Sequence, residues 1–427
     1  MNALKKLFGG NTRQFGMIFA LVALIIFFQI ATEGRTLTSG NVINLFNGNS
    51  YILILAIGMV LVIIAGHIDL SVGSVAAFVG VTVALTIRDW GLPWYAGVLL
   101  GLLLGALIGA WQGWWTAYVG IPAFIVTLAG MLLFRGLNQF VGKSNTIPVP
   151  ESFQYLGAGY LPEVGPDTGY NNLTLLIGVA AAAFVIFGEL RSRARAKALG
   201  ADVPEMWVTV LKLVLISGAI LYATYLFATG RPGTSFPIPG LILAVLVLLY
   251  GFISSRTVLG RHVYAVGGNR HAAELSGVQS KKVNFLVMMN MSILAGLAGM
   301  IFVGRSTASG PFDGVGWELD AIAAVFIGGA AVTGGVGTVV GSIIGGLVMA
   351  VLNNGLQLLG VGADLTQIIK GLVLLIAVAF DVYNKSQGKK SIIGMLTRNM
   401  NRPTGGPNNP LQPDETTSTK EAIAREA

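Results

Sequence analysis

Long apolar stretches recur along nearly the whole chain, separated by polar turns. Many are long enough to cross a hydrocarbon core of roughly 30 Å, which takes about 20 helical residues. They are continuously apolar rather than alternating, which predicts helices and not the strands of a barrel. In hydrocarbon a backbone must satisfy its own hydrogen bonds, and a helix does so within one segment. The pattern predicts spans near 15–31, 50–66, 71–87, 94–119, 121–141, 173–190, 207–228, 237–253, 284–304, 319–334, 338–359 and 366–384, with half-helices among the shorter ones. The expected fold is an all-α polytopic membrane protein of about 10–12 transmembrane helices, broken helices included.

Composition agrees. Of 427 residues, 54% are hydrophobic and only 11% charged, where a soluble domain carries about a quarter. Mean hydropathy is +0.74. There is no cysteine, hence no disulfide and no thiolate metal site, and His67, His262 and His271 are too scattered for a metal cluster. The net charge of +8 reads as basic cytoplasmic loops rather than as a nucleic-acid surface. With the N-terminus inside and the spans alternating, the segments 191–206 and 254–283 and the tail fall inside. They hold Arg191, Arg193, Arg195 and Lys197, then Arg256, Arg261, Arg270, Lys281 and Lys282, then Lys385, Lys389, Lys390, Arg398 and Arg402. The segments falling outside hold only Arg35, Arg88, Lys143, Arg231 and Arg305 as bases. This segregation fits a bacterial inner-membrane protein with both termini cytoplasmic. Lys5, Lys6 and Arg13 precede the first apolar run as in a signal peptide, but no small-x-small cleavage site follows, so an uncleaved first span is expected.

Residues 1–384 therefore read as one membrane domain, and the polar tail 385–427 as a disordered cytoplasmic extension. Gly97, Gly101, Gly105, Gly109 and Gly113 line one helix face, where another backbone can approach closely; Gly337, Gly341 and Gly345 repeat the device.

Two interruptions lie inside apolar sequence. Gly66–Ser74 reads GHIDLSVGS. Asp69 there is expensive unless satisfied. It reads either as the cap of a helix running from Leu70, or as part of a polar transport path with Ser71, and the two readings are compatible. Gly328–Gly341 reads GGAAVTGGVGTVVG and hints at an internal repeat. Asn353, Asn354 and Gln357, with Gln112, Asn138 and Asn290, either bond neighbouring helices or line a path for a hydroxylated solute. GLNQFVGKS at Gly136–Ser144 misses the phosphate-loop spacing by one residue. The glycines at 335–341 miss the dinucleotide spacing. No catalytic arrangement emerges, so the chain is expected to be neither an enzyme nor a nucleotide binder.

The loop 254–283 is charged and carries a small helix signal. Asn269 is a good N-cap, Arg270 to Ser276 give about two turns, and Gly277 suits the position after the helix. Ala272, Ala273 and Leu275 make an apolar knob, which reads as an interfacial helix on anionic lipid or as a docking helix for a cytoplasmic partner.

AVGGNRHAAELSGV, followed by basic residues, resembles the coupling-helix segment of ribose-, galactose- and xylose-type ABC permeases. GHIDLSVGS, IPAFIVTLAGMLLFRGL at Ile121–Leu137 and ELDAIAAVFIGGAAVTGGVGTVVGS at Glu318–Ser342 resemble further family segments in the right order, and the likeness covers most of 15–385. Residues 173–236 form an extra hairpin similar to the xylose-type and multiple-monosaccharide-type permeases, as is the ending KGLVLLIAVAFDVYNK. The resemblance implies a type II-like permease fold. It also implies a homodimeric pathway, a periplasmic sugar-binding protein, and a cytoplasmic ATPase with fused tandem domains that carries ATP and Mg. It implies coupling through Arg261, Asn269, Arg270, Ala272, Ala273, Glu274, Leu275 and Gly277. Arg305, Asp313 and Glu318 are expected to face the binding protein. Three alternatives stay open: an ion-coupled secondary transporter using Asp69, a membrane enzyme acting on lipid, and a related branched-chain amino-acid permease.

Overall fold

The structure is a computed structural model that describes residues 12–201, 203, 205–230 and 233–386. The expected disorder of the tail concerns residues outside the described ones, apart from the last helical turn, and Lys5, Lys6 and Arg231 also lie outside them. The helices are α1 (Thr12–Ala31), α2 (Ser39–Ile64), α3 (Val72–Trp90), α4 (Trp94–Trp114, continued by a π turn at Trp115–Val119) and α5 (Ala123–Val141). Then come α6 (Glu151–Ala158), α7 (Asn172–Ala198), α8 (Met206–Ala228), α9 (Ile238–Arg256), α10 (Val258–Gly268) and α11 (Arg270–Leu275). The chain closes with α12 (Ser280–Ser306), α13 (Trp317–Ile327), α14 (Val339–Leu358) and α15 (Ala363–Ser386). Contacts define one compact unit up to Ala379.

Among the described residues, nine helices are long and apolar enough to cross a membrane: α2 to α5, α7 to α9, α12 and α14. The apolar part of α1, Gly16–Ala31, is shorter. The expected span at 319–334 is a half-helix instead. α13 has 11 residues, about 16 Å at 1.5 Å per residue, and the non-helical segment 328–338 continues it. Apolar composition alone does not separate a helix from a buried loop whose backbone finds partners elsewhere.

α2 lies at the centre. Every residue from Ile52 to Ile64 is buried, as befits a helix that is apolar all round. α12, α13 and α14 pack against it. The glycine face of α4 does what its spacing predicts: a Cβ at Gly105 would sit 2.6 Å from the Ser292 carbonyl oxygen, and one at Gly109 2.6 Å from the Met289 Cα, so α12 rests directly on α4. On α14, Gly345 meets the Ala324 carbonyl of α13 in the same way. The hairpin α7–α8 packs largely on itself, with Gly178 against Thr224 and Lys212 bonded to Glu189 at 2.8 Å. It joins the centre through Phe46–Phe227 ring contact and a Ser39–Thr229 hydroxyl pair at 2.8 Å.

Contacts sort the connecting segments into two ends, and the sorting matches the charge segregation. At one end, the Gly335 N–H donates to the Ile64 carbonyl at 2.8 Å and the Tyr264 hydroxyl donates to the Gly337 carbonyl at 2.7 Å. At the other, β1 (Ile147–Pro148) pairs antiparallel with β2 (Ala308–Ser309), Tyr160 bridges to Pro237, and Asn41 and Asn354 exchange amide hydrogen bonds at 2.8 and 2.9 Å.

Candidate functional site

The first site is the segment α10–α11. Thr257 caps α10, its hydroxyl accepting from the Gly260 N–H at 3.2 Å. Asn269 caps α11, its side-chain oxygen accepting from the Ala272 N–H at 3.0 Å. Gly277 follows with φ +85°, a conformation that glycine takes without a steric penalty. The local signals thus built the helix the sequence predicts. The apolar knob is split by burial: Ala273 is 6% exposed and anchors the helix, while Leu275 is 79% exposed and faces away. Arg270 donates to Glu274 at 3.0 Å and the Ser280 hydroxyl donates to the same carboxylate oxygen. First the Ser280 bond and then the Arg270 bond hold the Glu274 carboxyl below its usual range. Arg261 lies exposed on α10.

Directly behind this segment lies a backbone junction. A Cβ on Gly267 would fall 1.6 Å from the Ile64 carbonyl oxygen and 2.9 Å from the Gly335 nitrogen. The Ile64 carbonyl is the acceptor of the Gly335 N–H. One carbonyl at the end of α2 therefore meets both the α10 segment and the loop after α13. Ile64 stands two residues before the first interruption and Gly335 lies in the second, and only Gly268 and Asn269 separate the junction from α11.

The first interruption differs from the expectation in detail. The helix begins at Val72, not at Leu70. Asp69 accepts from the Ser71 N–H at 2.8 Å and from the Ser71 hydroxyl at 2.7 Å, both at Oδ1. This is an Asx turn ahead of the helix rather than an N-cap, because the accepting oxygen reaches only two residues on. The Ser71 hydroxyl in turn accepts from Gln112 Nε2 at 2.9 Å. A buried chain runs from Gln112 through Ser71 to Asp69, and Asp69 Oδ2 ends it without a partner.

The other polar candidates separate. Asn354 is paired with Asn41 at the far end of α2, whose 26 residues set it about 40 Å from the Asp69 break. Asn353 is half-buried beside it and Gln357 is exposed. Asn138 donates to the Pro311 carbonyl at 3.1 Å, and Asn290 accepts from the Tyr250 hydroxyl. Of the residues expected to face outward, Arg305 is exposed and Asp313 half-buried, but Glu318 is buried. Glu318 lies 3.8 Å from Arg135 of α5, so the half-helix tucks it inward. Its neighbour Asp320 pairs with Lys370 of α15 at 2.6 Å. These two ion pairs clamp the first turn of α13 to two different helices. Sequence reasoning missed them, although a charge inside an apolar run signals a partner. The near-miss phosphate loop ends α5: Lys143 and Ser144 both have positive φ, and the Ser144 N–H donates back to Gln139 at 2.8 Å. It is a helix terminus.

A bundle of apolar helices, two of its crossings interrupted and joined at a small exposed helix, is the architecture of a membrane permease. The family model described as branched-chain amino acid transport system / permease component matches residues 41–378. The chain therefore belongs to that family of permease components. It is 39% identical over 383 residues to the xylose transport system permease protein XylH of Haemophilus influenzae, across 90% of this chain and 99% of that one. Its identity to XylH of Escherichia coli K12 is 38% over 376 residues, 88% of this chain and 93% of the relative. The ribose import permease protein RbsC of Escherichia coli K12 is 34% identical over 370 residues, 86% and 94% of the two chains. The expected likeness to sugar-type permeases is borne out. No solved structure matches.

Proposed function

We propose that this chain is the membrane-spanning permease subunit of a binding-protein-dependent ABC importer that carries a monosaccharide of the pentose or hexose class into the cytoplasm. The observation that carries the reading is the exposed Leu275 knob on α11, two residues from a backbone junction that holds both helix breaks. A cytoplasmic ATPase that grips α11 moves that junction. The Asp69 turn and the segment 328–338 shift together, and a polar pathway opens between two copies of the chain. ATP and Mg belong to that partner, and the sugar is selected by a periplasmic binding protein. This places the 254–283 segment and both termini in the cytoplasm. The sugar class draws on the relatives, which are named for xylose and ribose.

The decisive test is gentle solubilisation of native membranes, capture of this protein and mass spectrometry of what accompanies it. An ATPase subunit and a sugar-binding protein are expected; a binding protein that takes leucine instead of a sugar moves the substrate to branched-chain amino acids. The fully buried, half-satisfied Asp69 favours a second reading, ion coupling. Asp69→Asn separates the two. ATP-driven uptake is expected to persist at a reduced rate, whereas uptake driven by an ion gradient in liposomes of the purified protein alone, lost in Asp69→Asn, makes the ion-coupled reading correct.

A further inference from the structure

Exposed aromatic side chains mark the depth of the bundle. Trp94 and Tyr95 are exposed at the start of α4, and Trp111, Trp114 and Tyr118 at its end. α4 has 21 residues between these groups, about 30 Å at 1.5 Å per residue, the thickness of a hydrocarbon core. Amphipathic rings gather at both membrane–water boundaries. The π turn Trp115–Val119 therefore lies at headgroup depth.

A cavity of about 530 Å³ opens at that depth between the π turn, the start of α5, the His67 turn and the coupling segment. Arg270 and Lys281 line it, with His67, Asn284, Tyr118 and Phe124. Among the described residues, no carboxylate lines it. Glu274 engages Arg270 only at Nε, which leaves the terminal guanidinium nitrogens for another acceptor. The His67 and Asn284 side chains meet within the lining. The side of the cavity toward the bilayer is apolar: Val119, Phe124 and, one turn on, Leu128 are all exposed.

We infer that this cavity binds the phosphate of an anionic phospholipid, with the acyl chains laid along the exposed apolar face of α5. Two cations, one of them shared with Glu274 through Nε alone, and no carboxylate in the lining select an anion. The depth and the apolar flank select one that carries chains, rather than free phosphate. The site adjoins α11 through Arg270, so an occupied cavity braces the coupling segment from its membrane side. The inference needs only the membrane-spanning reading, and its test does not depend on transport.

The experiment is native mass spectrometry of the purified full-length protein with phosphatidylglycerol or phosphatidylcholine of identical chains, and separately with inorganic phosphate. Two interfacial cations predict a preference for phosphatidylglycerol on the order of 30-fold. Arg270→Gln combined with Lys281→Gln should bring the two lipids to parity, and Lys281→Arg should keep the preference. Lys281 is exposed, so Lys281→Gln alone covers the case in which the double variant does not fold; it should cost roughly fivefold. Inorganic phosphate at equal concentration should fail to displace the lipid. Equal retention of the two lipids by the unaltered protein, or a preference that survives both glutamines, overturns the inference. Displacement by phosphate alone assigns the cavity to a free anion and overturns the lipid as its occupant.

Discussion

Gly267 and Gly268 are adjacent in sequence and opposite in circumstance. A methyl on Gly267 has nowhere to go, because the atoms it meets, the Ile64 carbonyl and the Gly335 nitrogen, are backbone. A methyl on Gly268 would meet nothing within 4 Å. Gly267→Ala should therefore destabilise by about 1–3 kcal/mol or more, as overpacking does, and cut uptake at least roughly tenfold by prying α10 from the two breaks. Gly268→Ala should leave both near their starting values. Thermal unfolding in detergent and uptake in cells check the pair, and equal behaviour of the two variants would remove the junction from the mechanism. Ser71 makes a second test. It stands between Gln112 and Asp69, so Ser71→Ala strands the buried Gln112 amide, takes one of the two hydrogen bonds from Asp69 Oδ1, and should cost about 1–3 kcal/mol. A thermal midpoint unchanged in Ser71→Ala would mean that water or another group takes its place.

Among the elements, α11 was almost wholly legible. Its cap at Asn269 and its stop at Gly277 act over three or four residues, and such local chemistry is written in the sequence. The start of α3 was misplaced by two residues because Ser71 is held by Gln112, on another helix, and no local rule carries that information. The half-helix α13 was drawn as a full span because 328–338 is apolar. Its backbone is satisfied by Ile64 and Tyr264, residues far away in the chain. The same burial data sharpen the coupling test. Ala273 is the anchored side of the knob, so an acid there disturbs the fold itself. Leu275→Asp is the clean variant: it should abolish uptake and co-purification of the ATPase while the protein remains in the membrane at a normal level. Normal uptake in Leu275→Asp would show that α11 is not where force enters. α13 offers a stability test of its own. Lys370→Met leaves Asp320 without its cation and should lower the thermal midpoint, by an amount equivalent to about 1–3 kcal/mol. Adding Asp320→Asn should recover most of that loss, and a double variant no better than the single one would deny the pair its role.

For the molecule as a whole, charge segregation along the sequence and contact segregation in the structure describe the same two ends, and this was the most legible feature of all. The glycine ladder on α4 announced a close partner, and only the folded chain could name α12. The polar chain through Gln112, Ser71 and Asp69 bears on how such a protein is made. Gln112 follows Ser71 by 41 residues. At about 5–20 residues per second, the ribosome delivers it roughly 2–8 s after the acid and the hydroxyl have emerged. During that interval the turn keeps its own Asp69–Ser71 bonds, but the Ser71 hydroxyl lacks its Gln112 donor, and that bond is owed to water. The first two long helices must wait at the insertion machinery until the third arrives, and a nascent chain cut short of Gln112 presents its Asp69 turn to the proteases that clear unfinished membrane proteins.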